Sequence, residues 1–304
     1  MNLKKLFYLK ELDSHLIIHF LGLRLMFKHR CLFKYKPATS YGLSDELRSP
    51  KLVVSLTTFP KRIKTVHLTI NTLLRQSIKP NVLILWLARE QFPKGEEELP
   101  ENLLKLKDFG LTIDWCEDLK SYKKLIPSLK KYPNDIIITA DDDLYYEEDW
   151  LESLYAAYLK NPNNIYVRRA GRIIVLENKF KTISNRKHLY TNYFYPSYKN
   201  VLLGGSGCLF PPDSLHGDIL NVEKIKYLLP TQDDFYFWTM AVLKKTKIGV
   251  VKGFDAHLYC IEGSQKHGLC KINRKNNAAG LSGDEACEKI LHAYPEIMDI
   301  LKEE

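Results

Sequence analysis

From residue 51 onward the chain alternates between short apolar runs and longer stretches of helical period. "KLVVSLTT", "NVLILWLA", "LTIDWC" and "NDIIITADDD" read as strands, each too short and too continuously apolar for a surface helix. Between and after them, "TVHLTINTLLRQS" and "EEDWLESLYAAYLK" read as amphipathic helices, the second with acidic residues in its first turn, where the helix dipole favours them. Buried strands separated by helices predict a mostly parallel sheet with crossover helices, an α/β fold. The second half is less regular. "NIYVRRAGRIIVL" reads as two strands around a turn at Gly171, residues 178 to 200 as a polar, tyrosine-rich loop, and "VLLGGSGCLFPP" as a glycine-rich turn leading into a strand. "TQDDFYFWTMAVLKK" reads as a helix capped by Thr231 or Asp233, "KIGVVKG" as a strand, and the end of the chain as an amphipathic helix.

Residues 1 to 48 differ from the rest. Leu16, Ile17, Phe20, Leu23 and Phe27 recur at spacings of three and four, which predicts one apolar helical face. Composition sharpens the contrast: the chain of 304 residues carries a net charge of +9. Residues 1–40 hold eight Lys/Arg against Glu11 and Asp13, or +6, leaving +3 for the remainder. The expected organisation is a basic amphipathic appendage, 1–48, and one catalytic domain, 49–304. A basic helix of this kind either lies on an anionic membrane surface or packs on protein. The apolar window "LIIHFLGLRLMF" is interrupted by His19 and Arg24 and is shorter than the ~20 residues of a membrane span. No small-residue cleavage site follows it. The six cysteines form no C-x-x-C pair, so neither a zinc site nor a disulfide framework is expected. These features place the protein in the cytoplasm, with the basic segment available to the inner face of the plasma membrane.

The acidic triplet Asp141, Asp142 and Asp143 follows directly on an apolar strand. Three like charges at a strand end are costly unless a cation or hydrogen-bond donors neutralise them. In an α/β sheet, ligands bind beyond the carboxyl ends of the strands. Continued alternation would send Asp141 and Asp143 to one side and Asp142 to the other. Two carboxylates on one side suit Mg²⁺ or Mn²⁺, whose remaining positions are filled by water and substrate phosphates. The competing reading is a solvated acidic turn that starts the next helix. An EF-hand is excluded because Tyr146 stands where its glycine belongs and no helix precedes the loop. Paired aspartates of an aspartyl-phosphate phosphatase would follow the first strand, not the fourth.

With "VVSLTTFPKRI", "SYKKLIPSLKKYPNDIIITADDDLYY", "GGSGCLFPP", "TQDDFYFWTMAVLKKTKIGVVKG" and "LCKINRKNN" in that order, residues 51 to 280 resemble the GT-A fold glycosyltransferases, loosely the family 2-like bacterial enzymes of lipopolysaccharide and capsule synthesis. The resemblance implies a nucleotide-sugar donor, probed first as a UDP-sugar, with Mn²⁺ or Mg²⁺ stabilising the departing diphosphate. It further implies Asp141 at the ribose or the metal, Asp143 on the metal, and Thr57, Thr58 and Arg62 bordering the nucleotide. Lys124 would approach the base or phosphates. Asp233 or Asp234 would serve as general base of an inverting transfer, a contribution of ~10²- to 10⁴-fold; Asp234 is favoured if Asp233 caps the helix. His257 would be a third metal ligand, and a C-terminal segment bearing Asn273 and Asn277 would close over the donor. Gly204, Gly205 and Gly207 would let the backbone approach a sugar.

Two function classes follow. The leading one is a metal-dependent glycosyltransferase acting on a cell-surface glycan or lipid-linked acceptor. The other is a non-catalytic carbohydrate-binding protein that keeps the fold without turnover. A nucleic-acid partner is not expected, since the basic excess lies outside the catalytic domain and no nucleic-acid motif appears.

Overall fold

The apolar runs pair as parallel strands, and their register decides which loops meet. In the computed structural model, residues 7–12, 15–20, 23–28, 41–183, 195–251, 258–267 and 283–304 are described. The strands in chain order are β1 (Phe7–Leu12), β2 (His15–Phe20), β3 (Leu23–Lys28), β4 (Leu52–Thr57), β5 (Val82–Ala88), β6 (Leu111–Cys116), β7 (Ile136–Thr139) and β8 (Leu144–Tyr145). They continue with β9 (Ile165–Val167), β10 (Ala170–Leu176), β11 (Lys179–Ile183), β12 (Asn200–Leu202), β13 (Cys208–Phe210), β14 (Ile248–Val250) and β15 (Tyr259–Cys260). A seven-stranded sheet runs in the order β14-β9-β13-β7-β4-β5-β6. All its pairings are parallel except those of β13, which is antiparallel to both β7 and β9.

Both faces of this sheet are covered, which is why its strands are apolar throughout rather than alternating. Leu52, Val54 and Leu56 of β4 face a layer containing Val66, Ile70 and Leu73 of helix Val66–Leu73 and Leu151 and Leu154 of helix Trp150–Lys160. Val53 faces the other way, into a layer with helix Asp233–Leu243 and the C-terminal helices Gly283–Ala293 and Ile297–Lys302. Each such leucine or valine, buried to zero exposure, contributes roughly 1.5–3 kcal/mol relative to an exposed one. Helix Asp233–Leu243 is buried from Phe235 through Val242, so it shows no polar face of its own.

Three local expectations are corrected. No helix covers residues 16 to 27: β1, β2 and β3 form a three-stranded antiparallel sheet. Leu12 pairs with His15 and Phe20 with Leu23, leaving Asp13-Ser14 and Leu21-Gly22 as two-residue connections. Turn-forming pairs every eight residues place apolar positions at intervals that imitate a helical period, and the turns decide between the two. Secondly, Gly171 is not a turn. It lies inside β10 opposite Val201, and the chain breaks at Arg168-Arg169, where it passes from the large sheet to the small β11-β10-β12 sheet. A glycine within a strand marks a close approach as readily as a turn. Thirdly, the segment 178 to 200 contains β11, joined to β10 with Leu176 opposite Lys179, and reaches β12; residues 184–194 lie outside the described set.

No helix among the described residues is long and apolar enough to cross a membrane. Cys116, Cys208, Cys260 and Cys287 are free.

Candidate functional site

The register of β4 against β7 pairs Ser55 with Thr139. Extending both chains by three residues sets Thr58 against Asp142, and their side chains meet at 2.5 Å, the threonine hydroxyl donating to Asp142 Oδ2. Arg62, at the turn before helix Val66–Leu73, donates from Nη1 to Asp142 Oδ1 at 2.5 Å and pairs through Nη2 with Asp143 Oδ2 at 2.8 Å. Asp142 and Asp143 therefore share one guanidinium, and Asp141 turns elsewhere. This corrects the alternating expectation. The strand ends at Thr139, so the period of two does not carry into the triplet.

Asp141 turns to Lys124. The ammonium lies 2.9 Å from Asp141 Oδ1, 2.9 Å from Asp233 Oδ2 and 3.9 Å from Asp234 Oδ1. Its residue is anchored from behind, where the Ser55 hydroxyl donates to the Lys124 carbonyl at 2.6 Å and lies 2.8 Å from Ser128 Oγ. Burial alone would lower the Lys124 pKa, but Asp141, Asp233 and Asp234 together hold it well above the ordinary lysine value. Burial opposes Arg62 likewise and is outweighed by Asp142 and Asp143.

Because β13 runs antiparallel to β7, the glycine turn that precedes it lies over the carboxyl end of β7. The Gly204 N–H donates to Asp234 Oδ2 at 2.9 Å. A Cβ on Gly204 would sit 2.5 Å from Asp234 Oδ1 and 2.8 Å from Lys124 Nζ, so only glycine allows this approach. Gly207, at φ +96°, backs onto the Trp150 indole, where a Cβ would lie 2.4 Å from Nε1. What approaches these two glycines is the protein's own side chains. Asp233 does not cap its helix: Gln232 is the N-cap and makes no side-chain capping bond, and the Asp233 carboxylate is drawn to Lys124 instead.

Five carboxylates, Asp141, Asp142, Asp143, Asp233 and Asp234, thus surround two cations, Arg62 and Lys124. The surplus is visible in their protonation. Burial and the adjacent Asp142 lift Asp143 to about 7, against the pull of Arg62. Burial and the adjacent Asp233 lift Asp234 to about 7, against the pull of Lys124. Asp142 is raised as well, by burial. Asp234 Oδ1 is buried without a hydrogen-bond partner.

Whether this set suits a divalent cation turns on its donors. Carboxylate oxygens with uncompensated negative charge are the hard ligands Mg²⁺ and Mn²⁺ take. Yet no three His, Cys, Asp or Glu side chains among the described residues are arranged to hold a metal ion. The residues fit an ion whose shell is completed by water and substrate phosphates, not a cage built by protein alone. His257, Asn273 and Asn277 lie outside the described residues. Thr57 sits at the end of β4, its hydroxyl donating to the Trp86 carbonyl at 2.8 Å.

Several contributors were not singled out from sequence. Gln265 donates to Asp143 Oδ2 at 2.8 Å, and the Ser264 carbonyl accepts from Arg62 Nη2 at 3.2 Å. The Tyr146 hydroxyl accepts the Asp141 N–H at 2.8 Å. Ser55 carried a readable signal, a lone serine inside "VVSLTT". Gln265, more than a hundred residues from the triplet, carried none.

No protein-family model and no curated protein matches the sequence. Among solved structures, TarS from S. aureus is similar at 14% identity over 83% of this chain and 70% of that one, with a TM-score of 0.48. GalNAc-T7, solved with UDP, GalNAc and Mn²⁺, is similar at 12% identity over 83% of this chain and 50% of that one, also at TM-score 0.48. The mannosyltransferase PcManGT from Pyrobaculum calidifontis, in complex with GDP-Man and Mn²⁺, matches at 14% identity over 86% and 73%, with a TM-score of 0.45. The chain spans half the length of the GalNAc-T7 chain. At these values the likeness assigns neither a substrate nor a residue's role. The fold class itself is α/β, with the mostly parallel, helix-flanked central sheet expected of a GT-A protein.

Proposed function

We propose that the protein is a nucleotide-sugar-dependent glycosyltransferase that works with Mn²⁺ or Mg²⁺ and passes a sugar to a cell-surface glycan or lipid-linked acceptor. The observation that carries this reading is the convergence of five carboxylates and only two cations at the carboxyl ends of β4 and β7. Such a surplus is costly in a buried site, and a cation arriving with a diphosphate would relieve it.

Asp141 and Asp143 would hold the ion, which supplies charge stabilisation for the departing diphosphate. Thr58 and Arg62 border the nucleotide side and hold Asp142, so the loop carrying all three acids is fixed before substrate enters. Asp234 acts as general base. Gly204 pins one of its oxygens, leaving the unpartnered Oδ1 to take the acceptor hydroxyl's proton as that oxygen attacks the anomeric carbon. A pKa of about 7 suits a base that must be ionised yet avid near neutral pH. Lys124 holds Asp233, which separates the roles of the two neighbouring acids. The donor is proposed to be a UDP-sugar and the outcome inversion. The basic segment 1–48 is proposed to rest on the anionic inner face of the plasma membrane.

The test is nucleoside diphosphate release from a panel of nucleotide-sugars with Mn²⁺, with and without glycan acceptors. Release that depends on Mn²⁺ and is lost in Asp143→Ala supports the enzyme. Sugar binding with no turnover of any donor would instead mark a carbohydrate-binding protein.

A further inference from the structure

Beside the acidic site lies a cleft of about 350 Å³, open to solvent on one side. Its rim is built by the two-stranded β8–β15 ribbon, in which Tyr145 and Tyr259 are directly opposite one another. Opposed residues of an antiparallel pair project from the same face, and both tyrosines are half-buried and line the cleft. Trp150 forms part of the wall, and the charged groups are Glu147, Arg168 and Arg169. Arg168 Nη2 donates to Glu147 Oε2 at 2.6 Å, with Glu147 38% exposed.

The cleft is continuous with the chemistry. Gly205 and Ser206 line it, and the neighbouring Gly204 N–H holds Asp234. A Cβ on Gly205 would lie 3.3 Å from Asp141 Oδ2. The Tyr146 hydroxyl, in the same wall, accepts from the Asp141 N–H and donates to the Gly205 carbonyl at 3.3 Å. One glycine therefore separates the cleft from Asp141, and the next one along separates it from Asp234. Thr58 and Arg62, on the nucleotide side, do not line it.

We propose that this cleft is the acceptor subsite and takes one pyranose ring of a glycan. A pyranose has an apolar C–H face and an edge of hydroxyls. The paired tyrosines meet the face, the Arg168–Glu147 pair meets the edge, and small-molecule sites combine these two kinds of surface. Seated there, the ring presents its attacking hydroxyl across the Gly204–Gly205 backbone to Asp234. The assignment rests on the transferase reading above and adds the acceptor's position and class to it.

Saturation-transfer NMR with the methyl pyranosides of glucose, galactose, mannose and N-acetylglucosamine tests it, alongside calorimetry of UDP binding with Mn²⁺. At least one glycoside should bind the wild-type protein, and Tyr145→Ala and Tyr259→Ala should each weaken it by about tenfold. Tyr145→Phe, which keeps the ring, should retain binding. Unchanged UDP affinity in all three variants shows that they are folded and that the nucleotide lies elsewhere. Absence of glycoside binding, binding that survives both alanine variants, or UDP affinity that falls with glycoside affinity each overturns the assignment. Nucleotide-sugar turnover measured on the same samples separates the two ideas. Turnover with glycoside binding indifferent to the tyrosines sinks the cleft alone. Tyrosine-dependent binding with no donor turnover sinks the transferase reading alone.

Discussion

Raising the pH from 5 to 8 should destabilise the cation-free protein. Asp143 and Asp234 have folded-state values of about 7 against an ordinary 3.8. Between those limits the folded chain binds more protons than the unfolded one, so stability is full at the acid end and falls as pH rises through about 7. A displacement of about three units corresponds to about 4 kcal/mol for one isolated group. The two sites are not isolated: Arg62 and Lys124 are shared among neighbours, and a third of the Asp234 side chain reaches solvent. Discounting for both, the loss from pH 5 to pH 8 is roughly 3 kcal/mol. His67, lowered by burial, works in the opposite sense below its ordinary value and offsets a small part. The carboxylates that ion pairs hold low, such as Asp114 and Asp118, contribute below this window. Urea denaturation in EDTA reads the effect, and Asp143→Asn and Asp234→Asn should each flatten the slope. A midpoint that is equal or higher at pH 8, with both variants tracking wild type, would refute the claim that the site carries excess negative charge.

Three further outcomes follow from the same geometry. Lys124→Met removes the cation between Asp141, Asp233 and Asp234 and should cost about 3–5 kcal/mol at pH 8, less at pH 5, as read by thermal melts at both values. Gly204→Ala places a methyl against Asp234 Oδ1 and Lys124 Nζ, and should lower turnover far more than the roughly 1–3 kcal/mol it takes from stability; equal sugar transfer by this variant would remove Asp234 from the base's role. Mn²⁺ alone should bind weakly and UDP should tighten it, since the protein supplies too few ligands by itself; isothermal titration that finds tight Mn²⁺ binding without nucleotide would contradict a shell completed by substrate.

Residues near one another in sequence determined the elements. Runs such as "VLILWLA" and "IIIT" are strands because nothing polar interrupts them, and the aspartate triplet was placed at a strand end by the apolar residues before it. The same local reading failed at residues 16 to 27, where eight-residue hairpin spacing and a helical period select nearly the same apolar positions. Tertiary structure alone decided the partners of the acids. Asp142 meets Thr58 because β4 and β7 pair in one register, Asp143 meets Gln265 across more than a hundred residues, and Lys124 gathers Asp141 and Asp233 from opposite ends of the domain. Hydrophobic period is written in neighbouring side chains, whereas the neutralisation of a buried charge depends on which strands lie side by side, and that is settled only when the whole sheet closes its core.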